Sequence, residues 1–168
     1  MTEPRNHRYA VTVSRRDGTW HCDRLDRTAL TGLDEAVAAV RGSAAGEASF
    51  GVFNADESFF LVVRTAPGGT ALLLSDARAA HRHTLAAQAL DALGAGLPAE
   101  DASGAHPAGD PGIIADLGLT AEDMAALLAR PGGLPDDQLR TIAERCGFAA
   151  ELARARAEER DRGSGSGG

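Results

Sequence analysis

SFGVFNADESFFLVVRT, residues 49–65, decides how this chain is read. Two apolar runs, 49–54 and 59–65, flank the polar stretch ADES, which is the pattern of a β-hairpin. The second run is the more informative. Phe59-Phe60-Leu61-Val62-Val63 is apolar at odd and even positions alike. Successive side chains on a strand point to opposite faces, so both faces of this strand must be covered. An interior strand is predicted, with a layer on each side of the sheet.

Working outward, Pro67-Gly68-Gly69 turns the chain and Thr70–Leu74 returns as a further strand. Upstream, Leu33, Ala36, Val37 and Val40 recur at helical spacing and mark a short helix that stops at Gly42. Before it, Tyr9, Val11 and Val13 alternate with Ala10 and Thr12. Asp17-Gly18 and Thr19–Cys22 follow, which reads as a hairpin with a tight turn. Downstream, Ser75 or Asp76 caps a helix that runs to about residue 93, with Leu85, Ala89, Leu90 and Leu93 inward. The order is β-β-α-β-β-β-α, an α+β fold built on an antiparallel sheet of about five strands. It resembles the order of longin and profilin-like folds.

Residues 95–112 shift to Gly, Ala, Pro and Asp and read as a linker or long loop between a sheet domain (8–94) and a helical module (113–160). Within that module Thr120 is an N-cap, with Glu122 and Asp123 favourable in the first turn. Met124, Leu127 and Leu128 give the apolar stripe, and Pro131-Gly132-Gly133 breaks it. Pro135 starts a second helix and Gly147 ends it. Phe148 and Leu152 dock a last helix, and residues 161–168 read as a flexible tail.

Composition bounds the function. The net charge is −7, and all 17 basic residues other than histidine are arginine. The arginines do not segregate. The denser group Arg154, Arg156, Arg160 and Arg162 is interleaved with Glu158, Glu159 and Asp161, the pattern of a solvated helix face. An acidic chain repels phosphate, which argues against direct nucleic-acid binding. No apolar run approaches the roughly 18–20 residues of a membrane span, and the N-terminus lacks a signal-peptide pattern. A cytoplasmic protein is expected.

No residue pattern implies a catalytic centre, a cofactor or a metal. PAGDPGIIADLGLT, residues 107–120, is glycine- and aspartate-rich, yet the chain has no lysine for a phosphate loop. Asp110 and Asp116 are too few for a calcium loop. The stretch reads as a joint whose Ile113, Ile114, Leu117 and Leu119 anchor the helical module. His81 and His83 are two apart on a helix and diverge. His21 and Cys22 are strand neighbours on opposite faces, one buried and one exposed. His7 and His106 fall in loops. The acid pairs Asp56-Glu57 and Asp136-Asp137 fall at a turn and a helix start. Cys22 and Cys146 read as reduced, buried thiols.

FNADESFFLVVR (53–64), LLLSDARAA (72–80), QALDALG (88–94), PAGD (107–110), ADLGL (115–119) and IAERCGF (142–148) occur in an order and spacing that resembles the tRNA adenosine deaminase-associated proteins, found mainly in actinobacteria. The resemblance covers roughly residues 8–152. It departs from the family's pattern at 129–135, ARPGGLP, where an acidic stretch with an aromatic is usual, and at Ile114, where an aromatic is frequent. The deaminase itself needs a His with a nearby Glu and a Pro-Cys-x-x-Cys pair to hold zinc and move protons. Neither is here, so no catalytic residue is carried over.

The resemblance implies a non-catalytic accessory protein whose partner is a tRNA adenosine deaminase. The candidate contact surface is the joint and the helix after it: Asp110, Ile114, Asp116, Leu117, Glu122 and Asp123. Two other readings stand beside it. One is an RNA-binding adaptor using Arg78, Arg82 and the 154–162 arginines. The other is a self-assembling scaffold using an exposed sheet edge, so a homo-oligomer is left open.

Overall fold

The computed structural model describes residues 8–43, 48–55, 58–66, 68–104, 106–130 and 133–165. Strands β1 (Tyr9–Arg16) and β2 (Thr19–Arg24) form the first hairpin. Asp17 and Gly18 both have positive φ, 53° and 77°, as a two-residue hairpin turn requires. A 3-10 turn (Arg27–Leu30) and helix α1 (Leu33–Ser43) then cross to β3 (Ala48–Ala55). Strands β4 (Phe59–Ala66) and β5 (Gly69–Leu74) continue as a meander. The sheet order is β2-β1-β3-β4-β5-β6, and every neighbouring pair is antiparallel. The α+β antiparallel architecture expected from the sequence is what forms.

Two elements ahead of the C-terminal helices differ from expectation. The region after β5 is not one helix. Asp76 caps a 3-10 turn (Ala77–His81), accepting from the Arg78 N–H. His83 is extended, and only then does α2 (Thr84–Leu93) begin. The Asp76 carboxylate also holds the Arg78 guanidinium, which donates onward to the Ala102 carbonyl. These bonds fix the start of the turn, and the extended His83 separates it from α2. The sheet also has a sixth strand, β6 (Ala108–Gly109), in the stretch expected as loop. A strand of two residues has no alternation to detect.

The strongly apolar β4 has a cover on both faces, as its sequence demands. Phe59, Leu61 and Val63 pack with Phe53, Leu72 and Leu74 under α1 and α2. Val40 of α1 sits so close to β3 that a Cβ on Gly51 would lie 2.4 Å from its Cγ2, so only glycine admits this approach. Phe60 and Val62 face the other way, with Tyr9, Val11, Val13, Phe50, Val52 and Leu73. Their cover is the C-terminal half: α3 (Ala121–Leu128), α4 (Pro135–Cys146) and α5 (Ala149–Gly165). The helical module expected over 113–160 is the second covering layer of a three-layer core. Phe148, at the α4–α5 junction, closes this layer against Trp20 and Phe50, with ring centroids 5.2 and 5.9 Å away.

The local signals in this layer are the ones the sequence carries. Thr120 caps α3, its hydroxyl accepting from the Asp123 N–H at 3.2 Å. Pro135 opens α4 and Gly147 closes it. Helix α5 continues to Gly165, into the stretch expected as tail. Asp56-Glu57, His7 and the Pro131-Gly132 break lie outside the described residues.

A strap around the sheet edge as the candidate partner surface

After α2 the chain must pass from one face of the sheet to the other, and residues 106–117 make the passage at the β5 edge. The Ala77 N–H donates to the His106 carbonyl at 2.7 Å. Strand β6 then pairs Ala108 with Leu74 and Gly109 with Leu73. Gly109 has φ 111°, and a Cβ there would lie 2.1 Å from the Leu72 carbonyl oxygen. Neither the backbone angle nor the space admits another residue. The Asp110 N–H donates to that same carbonyl at 2.9 Å. The Asp110 carboxylate turns back to accept from the Gly112 N–H at 2.9 Å, which bends the chain out of the sheet.

On the far face Arg64 of β4 holds the strap down. Its Nη1 donates to the Ile113 carbonyl at 2.9 Å and to Asp116 Oδ1 at 2.6 Å, and its Nη2 donates to Asp116 Oδ2 at 2.9 Å. The Arg64 side chain is 18% exposed and that of Asp116 is 60% exposed. The guanidinium bonds hold the Asp116 carboxyl below the usual aspartate range, and the same bonds raise Arg64. Nothing in the sequence singled out Arg64. Its only signal is a lone cation at the end of an apolar strand.

The six residues of the candidate surface separate into two kinds. Ile114 and Leu117 are buried in the second core with Ile113 and Leu119. Their side chains pack the strap onto the sheet and are closed to a partner in this structure. Asp110, Asp116, Glu122 and Asp123 are exposed. Of these, Asp110 already bonds within the strap and Asp116 to Arg64 of β4, and Asp123 lies 3.7 Å from Arg145. Glu122, in the first turn of α3, points outward beside them.

A groove of about 610 Å³ opens next to the strap, lined by Thr70, Leu72, Leu93, His106, Pro107 and Asp110 among others. A smaller cleft of about 240 Å³ lies between β2 and α5, beside Cys22, Arg24, Glu151 and Arg154. Cys22 and His21 are both half-buried, on opposite sides of β2. Burial pushes the Cys22 thiol up to about 12, helped by Asp23 and Glu151. Burial alone takes Cys146 to about 11. Both are protonated at neutral pH, which is the wrong state for a nucleophile or a metal ligand. Among the described residues no group of three or more His, Cys, Asp or Glu is placed to hold a metal. Among them, too, no helix is long and apolar enough to cross a membrane.

Three of the arginines considered for an RNA face are engaged elsewhere. Arg78 is paired with Asp76 and Arg82 with Glu100. Arg156 stacks over Tyr9 and pairs with Asp136 at 2.8 Å. The side chains of Arg160 and Arg162 lie outside the described residues.

The strap, the whole sheet and the covering elements up to the start of α5 fall inside the span of a family match. The model of the Rv3753c-like tRNA adenosine deaminase-associated proteins matches residues 8–149. The chain belongs to this family. Among its relatives is Protein Rv3753c of Mycobacterium tuberculosis, 40% identical over 147 residues, which is 86% of this chain and 85% of the relative. No solved structure matches the chain. The family's description is tRNA adenosine deaminase-associated.

Proposed function

We propose that this protein is a cytoplasmic, non-catalytic accessory protein that binds a tRNA adenosine deaminase. The observation that carries the reading is the match over residues 8–149 to a family described as deaminase-associated. The chemistry of the chain agrees with it. The sequence has no His-x-Glu and no Pro-Cys-x-x-Cys, so it supplies none of the zinc set that deamination uses. Both thiols are held protonated by burial.

The contact surface we assign is the outward side of the strap and of the first turn of α3: Asp110, Asp116, Glu122 and Asp123. These four carboxylates are exposed along a segment whose backbone is fixed at both ends, by the sheet edge and by the Thr120 cap. A fixed surface loses little conformational freedom on binding. Opposite charge on a partner would speed encounter and set orientation.

The test separates this surface from the strap's own bonds. Glu122→Gln with Asp123→Asn removes two charges and leaves the Arg64 contacts in place. Titration calorimetry against the deaminase of the same genome should show at least a tenfold weaker Kd for the double variant. Unchanged affinity in a variant of unchanged stability would remove this surface from the reading.

A further inference from the structure

No further inference is drawn: the strongest candidate, the open groove of about 610 Å³ between the β5 edge, the 106–110 strap and the loop after α2, is left where the two-residue β6 stops short along β5, and nothing in the structure shows what covers it.

Discussion

Arg64 and Asp116, 52 residues apart in the chain, close a two-pronged ion pair at 2.6 and 2.9 Å that ties β4 to the strap. The same guanidinium satisfies the Ile113 carbonyl. The two partners are not equivalent. Arg64 is mostly covered and serves two acceptors, whereas Asp116 is largely exposed and screened by water. Arg64→Ala should therefore cost about 2–3 kcal/mol, since it also leaves a carbonyl unpaired and removes a packed stem. Asp116→Asn should cost about 1 kcal/mol or less. Urea unfolding of the two variants checks the ranking. Equal losses would mean that the carbonyl bond contributes nothing.

The pair also sets a pH dependence. The folded Asp116 carboxyl titrates below its ordinary value because of Arg64. Its contribution is then fully present above the unfolded aspartate pKa of about 3.9 and is lost as pH falls through the lower folded value. The stability gap between the native chain and Asp116→Asn should be constant from pH 7 to pH 5 and narrow as pH falls below about 3.9. A gap that does not narrow at all as pH falls below about 3.9 would show that the substitution acts through packing, not charge.

Gly109 makes the passage around the sheet edge possible. Gly109→Ala meets both a φ of 111° and the Leu72 carbonyl, so a loss of more than about 2 kcal/mol is expected. Gly68, with nothing within 4 Å of a built Cβ, is the control, and Gly68→Ala should stay within about 0.5 kcal/mol. Amide exchange at Asp110 and Leu74 should rise in the first variant and not in the second.

How much of this was legible in the sequence follows from the same residues. The two-sided apolar run at 59–63 demanded two covers, and the caps at Thr120, Pro135 and Gly147 marked the helices. The identity of the second cover was not legible, because Ile113, Ile114, Leu117 and Leu119 show only that a segment is buried, not against what. The β6 pairing rests on backbone bonds, which leave no side-chain pattern. Arg64 was missed for a related reason: its partners lie 49 and 52 residues away. At the candidate surface the acids were visible as acids, while the burial of Ile114 and Leu117 and the bonds of Asp110 and Asp116 needed coordinates. The second layer can be tested directly. Ile114 is fully buried, so Ile114→Ala should cost about 2–5 kcal/mol.

Thiol chemistry offers a check that does not depend on any partner. With Cys22 pushed up to about 12 and Cys146 to about 11, both should react with a thiol reagent at pH 7.5 much more slowly in the native state than in urea. On the alkaline side a raised folded pKa gives stability that is complete below the unfolded thiol value and lost as pH rises toward the folded one. The unfolding midpoint should thus fall above about pH 9. Labelling of the native protein as fast as in urea would contradict the raised values and the partial burial of both groups.

The binding of a tRNA adenosine deaminase is the central claim, and co-elution tests it most directly. The chain and the deaminase of the same genome, both with tags removed, are mixed at micromolar concentration and run on a sizing column. A joint peak of fixed stoichiometry, earlier than either protein alone, is the expected result. Two separate peaks at the positions of the individual proteins would contradict the claim.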